Sequence, residues 1–205
     1  MKVGVFGGTF DPPHVGHLLV AIDALEQLGL DRLVLVPAAT QPLKLDRISA
    51  DAEARLAMTR LLVDGDPRFD VDPIEIDRGG LSFMVDTLGS LADRWRDAEL
   101  FLLVGEDVLT TFERWRQPER VRELATLVVL TRARDGSAAE LTREAGTVPA
   151  LPDVEFPGGE PRRLITRRVD VSSTEIRARV RAGQSIRGFV PERVADFIES
   201  AGLYR

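Results

Sequence analysis

The chain has 205 residues, a formal net charge of −6 and no cysteine. That length suits a single domain able to bury a proper core. The acidic balance argues against a dedicated nucleic-acid or anionic-membrane partner, which needs a basic surface, and the missing cysteines remove disulfides, thiolate nucleophiles and thiolate metal sites.

Met1 leads straight into Val3–Phe6, a short apolar run that fits a buried parallel strand and ends at Gly7-Gly8. No signal peptide precedes it, and no apolar run approaches the roughly 18–20 residues of a membrane span, so a soluble cytoplasmic protein is expected. From Val15 to Leu28 the residues Leu18, Leu19, Ile22, Leu25 and Leu28 follow helical spacing, and Gly29 supplies a stop. Leu33–Val36 reads as a second strand, broken by Pro37 and followed by a loop over Ala38–Arg47. Ser49 reads as the N-cap of a helix through Leu62. Phe69–Ile76 suggests a third strand and Met84–Arg96 a helix. Leu100–Val104 is a strand that runs into Gly105-Glu106-Asp107; a short helical stretch leads to Trp115, and a further helix follows Pro118. Leu127–Leu130 is the last clear buried strand. The alternation predicts an α/β fold, a doubly wound parallel sheet with right-handed crossovers, whose ligands sit at the carboxyl ends of the strands near the switch in strand order. From about residue 134 to 165 the pattern fades into a variable excursion, and Arg168–Val171 regains a strand-like look. Ser172 and Glu175 then have capping-box spacing at the start of a helix. Pro191 starts the terminal helix, Glu192–Ala201, with Val194, Phe197 and Ile198 on its apolar face. The whole reads as one domain, 1–205, with a C-terminal helical portion.

The chemistry concentrates in Gly7-Gly8-Thr9-Phe10-Asp11-Pro12-Pro13-His14-Val15-Gly16-His17, which joins the first strand to the first helix. Glycines there let a backbone approach phosphate, and a helix N-terminus offers unpaired N–H groups and partial positive charge. His14 and His17 are the only two histidines, and three-residue spacing puts them on one helix face. This spacing is not that of the dinucleotide fingerprint. Three readings fit the pair: a plain helix cap, a metal site with Asp11 as third ligand, or donors for phosphoryl or nucleotidyl transfer that match charge on a five-coordinate phosphorus. Lys44 stands out as well, one of two lysines against 25 arginines, at a loop position suited to a compact ammonium.

The turn resembles the H-x-G-H signature of the nucleotidyltransferase superfamily, and in its extended form, GGTFDPxHxGH, that of bacterial nicotinate-nucleotide adenylyltransferases. The resemblance continues in Gly105-Glu106-Asp107, similar to a Gly-Ala-Asp turn, in Phe112 and Trp115 of an F-x-x-W stretch, and in Val171–Arg177, similar to I-S-S-T-x-I-R. The ending Val190-Pro191 to Leu203-Tyr204 is similar too. The resemblance implies a Rossmann-like nucleotidyltransferase that passes the adenylyl group of ATP, with Mg²⁺, to nicotinate mononucleotide. His14, His17, Lys44 and Arg177 would carry catalysis. Gly7, Gly8, Thr9, Phe10, Gly105, Asp107, Ser172, Ser173 and Thr174 would join them around ATP. Lys44, Met84, Thr87, Asp107, Trp115 and Arg116 would face the acceptor, Trp115 by stacking and Met84 through its N–H. It implies no dedicated protein site for metal and is compatible with a homo-oligomer. Three positions depart from the pattern: Leu43 where histidine is common, Phe83-Met84 where Tyr-Thr is common, and Glu106 in place of alanine. All three bear on the acceptor, leaving nicotinamide mononucleotide and phosphopantetheine as rival acceptors. A non-catalytic nucleotide sensor and a metal-dependent hydrolase are the rivals of other classes.

Overall fold

Short Val- and Leu-rich runs alternate with helical stretches, and in the computed structural model, which describes residues 1–40, 50–132 and 161–205, they form one six-stranded sheet. The strands are β1 (Lys2–Gly8), β2 (Arg32–Pro37), β3 (Phe69–Val71), β4 (Glu99–Gly105), β5 (Thr126–Arg132) and β6 (Arg162–Thr166). All run parallel, in the order β3-β2-β1-β4-β5-β6. Parallel strands are covered on both faces, and Val3, Val5, Leu33–Val36 and Phe101 are 0% exposed. The order reverses at the β1–β4 pair, in register from Lys2↔Glu99 to Phe6↔Leu103. This is the doubly wound sheet that the alternation predicts.

The helices are α1 (Val15–Leu28), α2 (Ala52–Val63), α3 (Ile74–Arg78), α4 (Met84–Arg94), α5 (Pro118–Leu124), α6 (Ser173–Arg181) and α7 (Glu192–Ser200), with single-turn helices at Glu106–Val108 and Phe112–Arg114. Helix α1 has the predicted bounds, yet its fully buried face is Ala21, Asp23, Ala24 and Leu25, while Leu18, Leu19, Ile22 and Leu28 are half-buried.

Beyond shifts of one or two residues, such as the helix from Met84 ending at Arg94 rather than Arg96, four features differ from the sequence expectation. Ser49 lies outside the described residues; Asp51 caps α2, its Oδ1 accepting from Ala54 N at 2.7 Å. Strand β3 stops at Val71, because Asp72 turns the chain by accepting from Ile74 N at 3.0 Å and Pro73 has no N–H for a ladder, so Ile74–Arg78 is helical. Leu127–Leu130 belongs to β5, which is not the last strand: β6 pairs with it from Val128↔Arg162 to Arg132↔Thr166. Arg168–Val171 has no regular structure, and the strand sits six residues earlier, inside the segment expected to be an excursion. The rest of that excursion, through residue 160, lies outside the described residues.

The chain divides into two compact units. One comprises Met1–Phe6, Val20–Leu33 and Phe83–Arg168. Within it Asp23, 3% exposed, accepts from Arg167 N at 2.8 Å and Arg167 Nη2 at 2.6 Å, which ties the exit of β6 to α1. The other comprises Gly7–Leu19, Val34–Ser82 and Val169–Arg205. Its core gathers Met58 from α2, Ile176 from α6, Val194 and Ile198 from α7, and Tyr204. Helix α7 closes with Gly202 at φ +62°, Leu203 N donating to Ile198 O at 3.0 Å and Gly202 N to Glu199 O at 3.2 Å. This Schellman turn sends Tyr204 back into the core.

Candidate active site

The turn between β1 and α1 is built around two close approaches. At Gly8 a Cβ would stand 2.8 Å from Phe10 Cζ, so only a glycine lets that ring lie over the strand end. At Gly16 a Cβ would meet His14 Cε1 and Nδ1 at 3.0 Å, which explains why a glycine separates the histidines. Phe10 is 2% exposed and takes φ +51°. Its ring meets His17 edge-on, centroids 5.2 Å apart and planes at 76°. His14 is 7% exposed and stacks on His17 at 3.7 Å. His14 N donates to His17 Nδ1 at 3.2 Å. An accepting Nδ1 carries no proton, so the neutral His17 ring has its proton on Nε2.

Polar contacts fasten the turn from behind. Ser173 Oγ, on the first residue of α6, donates to Pro12 O at 2.8 Å, and Arg177 Nη1, one turn later, donates to Asp11 O at 2.7 Å. Ser172 caps α6, accepting from Glu175 N at 3.2 Å, as its spacing predicts. Thr174 is exposed and accepts from Arg177 Nη2 at 3.4 Å. Asp11, 3% exposed, accepts on Oδ1 from Ala50 N at 3.0 Å and Tyr204 Oη at 2.8 Å, while its Oδ2 faces Arg177 at 3.8 Å. Burial and the Asp11 charge raise the Tyr204 phenol far above its ordinary value, so it stays a donor. Thr9 Oγ1 is buried with no hydrogen-bond partner among the described residues.

The other unit holds a second group. Gly105 ends β4 and bears the Asp107 carboxylate against it: a Cβ would stand 2.6 Å from Oδ1. Asp107 and Glu106 are exposed in the turn that follows. Trp115 is half-buried and leans on Phe112 at 5.2 Å. Arg122 lies over Phe112 at 4.7 Å and pairs with Glu113. Arg116 is exposed, 4.9 Å over the Phe83 ring and 3.4 Å from Asp86. Met84 opens α4, so its N–H lies outside the helical ladder. Thr87, expected to face the acceptor, is 0% exposed, with its hydroxyl directed at Phe83 O at 3.4 Å. Lys44 and Leu43 lie outside the described residues.

A cytidylyltransferase-like family model matches residues 5–179. A Gemmatimonas aurantiaca protein named "Probable nicotinate-nucleotide adenylyltransferase" is 54% identical, covering 100% of this chain and 93% of its own. A Thermus thermophilus protein of the same name is 43% identical over 100% of both. The chain belongs to the nicotinate-nucleotide adenylyltransferase family. Two solved structures of the Plasmodium falciparum nicotinic acid mononucleotide adenylyltransferase, complexed with APC and with NaAD, match with TM-scores of 0.69 and 0.71. They share 14% and 15% identity and cover 99% of this chain and 96% and 97% of their own, a likeness of fold.

Within this adenylyltransferase the metal reading of the histidine pair loses its third ligand, because Asp11 is engaged on both oxygens. Among the described residues no cluster of three or more His, Asp or Glu is arranged to hold a metal ion. No described helix is long and apolar enough to cross a membrane. Sequence reasoning missed Arg55, which is 1% exposed on α2 and donates to the carbonyls of Thr9, Ala38, Ala39 and Ala50. Burial lowers its pKa, opposed by the charge of Asp11. Its position in a helix gave no sign of this, since an arginine there usually faces water.

Proposed function

We propose that the chain transfers the adenylyl group of ATP to nicotinate mononucleotide, giving nicotinate adenine dinucleotide and pyrophosphate. The observation that carries this reading is the stacked histidine pair at the start of α1, with His17 Nδ1 fixed as an acceptor by the His14 N–H. An oxygen of the acceptor's phosphate forms a bond to the α-phosphorus in line with the bond to the β-phosphate, which breaks as pyrophosphate leaves. A phosphate monoester is largely ionised at neutral pH, so no strong base is needed. His14 and His17 meet the charge gathering on the α-phosphate, and the N–H groups of Gly8, Thr9 and Phe10 line the nucleotide. Ser173, through its main-chain N–H at the start of α6, and Arg177, through the N–H groups left after fastening the turn, grip the outer phosphates, and Lys44 joins them. Mg²⁺ comes with ATP as part of the substrate, held by phosphate and water, because the signature's own carboxylate is engaged.

Trp115 stacks on the acceptor's pyridine ring, and Asp107 positions the nucleotides. Arg116 is held by Asp86 and Phe83, so the N-terminus of α4, through Met84 N–H, is the better reader of the nicotinate carboxylate. That contact does not depend on the side chain, so Met84 in place of threonine leaves it intact. One family model spanning parts of both units supports reading 1–205 as one nucleotidyltransferase domain.

The test uses ATP made chiral at the α-phosphorus with sulfur. Direct transfer to nicotinate mononucleotide inverts that centre. Retention would overturn the single displacement, and product formation only with phosphopantetheine would overturn the acceptor.

A further inference from the structure

Phe10 holds a left-handed backbone, which a bulky residue keeps only where its surroundings over-determine it. The constraint comes from one side of the turn. The carbonyl of Gly8 accepts from Ala38 N at 2.9 Å, that of Thr9 from Arg55 Nη1 at 2.8 Å, that of Asp11 from Arg177 and that of Pro12 from Ser173. Across a trans peptide the carbonyl and the next N–H point in opposite directions. Fastening the carbonyls of Gly8 and Thr9 to the scaffold therefore turns the N–H groups of Thr9 and Phe10 away from it.

Arg177 and Ser173 belong to the signature already described. Arg55 and Tyr204 do not, and they are buried behind it. The Arg55 Nη1 also bonds Ala38 O at 2.6 Å, its Nη2 bonds Ala39 O at 3.0 Å and its Nε bonds Ala50 O at 3.3 Å. One guanidinium thus joins the signature turn, the exit of β2 and the approach to α2. A buried charge is expensive to keep unless fully satisfied, and here its satisfaction comes from loop carbonyls. Tyr204 holds the neighbouring part of the turn, sharing Asp11 Oδ1 with Ala50 N.

We propose that Arg55 and Tyr204 are positioning residues of the transfer reaction, acting through Thr9 and Asp11 to hold the signature turn so that its N–H groups and histidines face the nucleotide phosphates. The proposal rests on the adenylyl-transfer reading and adds two residues that touch no substrate. It predicts a loss of turnover larger than any loss of folding, since misplacing a transition-state donor by about 1 Å costs up to roughly a hundredfold.

The test is Tyr204→Phe and Arg55→Lys in the full chain. It reads melting temperature, kcat and KM for ATP and nicotinate mononucleotide by pyrophosphate release, and ATP affinity by calorimetry. Tyr204→Phe keeps the packed ring and removes only the hydroxyl, so it decides the matter if Arg55→Lys does not fold. Well below its melting temperature, Tyr204→Phe is expected to lose about tenfold in kcat while KM for the acceptor stays within twofold. Folded Arg55→Lys loses more. A lowered melting temperature with kcat unchanged would mean a structural role alone and would overturn the proposal. A wild-type chain that releases no pyrophosphate with nicotinate mononucleotide would fail the adenylyl-transfer reading instead. ATP affinity would then decide: a fivefold loss in Tyr204→Phe supports the positioning role, and an unchanged affinity overturns it.

Discussion

Replacing Gly8 with alanine puts a methyl group where the Phe10 ring already lies. The new carbon would stand 2.8 Å from Cζ and 3.0 Å from Cε1 and Cε2, whereas carbon atoms rest about 3.5–4.0 Å apart. The ring must therefore retreat by roughly 0.7 Å at least. It has little room, being 2% exposed with its edge against the His17 ring at 5.2 Å. Overpacking of this kind costs about 1–3 kcal/mol, which for a chain of this size lowers the melting temperature by roughly 2–4 °C per kcal/mol. The push also reaches His17, and a displaced phosphate donor costs about ten- to a hundredfold in turnover. Thermal melting and pyrophosphate release under saturating substrates read the two effects separately. A Gly8→Ala chain that melts with the wild type and keeps more than half its kcat would refute the reasoning.

Other substitutions separate site from scaffold. Gly89 lies in α4 with nothing among the described residues within 4 Å of its would-be Cβ, so Gly89→Ala should stabilise by about 0.5–1 kcal/mol at unchanged kcat; a lower melting temperature would contradict this. His17→Ala should lower kcat by about two to three orders of magnitude, as expected for one transition-state donor, and near-normal turnover would count against its role. Trp115→Ala removes a ring braced by Phe112 and should raise KM for the acceptor about fivefold, ~1 kcal/mol, with KM for ATP unchanged. Equal losses for both substrates would make Trp115 structural.

Hydrophobic periodicity made the parallel sheet legible, because a strand buried on both faces reads as an unbroken apolar run. Edge strand β6 escaped for the converse reason: it opens with Arg162-Arg163, and edge strands carry charge. Helix α3 escaped because the β-branched residues of 69–76 masked the turn at Asp72-Pro73. The signature was legible because its residues are contiguous, and the structure brings Ser173 and Arg177 onto the same turn from more than 150 residues away. The roles of Arg55 and Tyr204 were not legible, since their partners are main-chain carbonyls and a carboxylate that meet them only in the folded chain. The burial of Thr87 was not legible either, since a threonine inside a helix start can direct its hydroxyl to the backbone four residues back.

The most direct measurement is the ratio of kcat/KM for nicotinate mononucleotide to that for nicotinamide mononucleotide at saturating Mg-ATP. The account predicts a strong preference for the nicotinate form, read by the main-chain N–H at Met84. Equal or reversed preference would contradict the assignment of the acceptor.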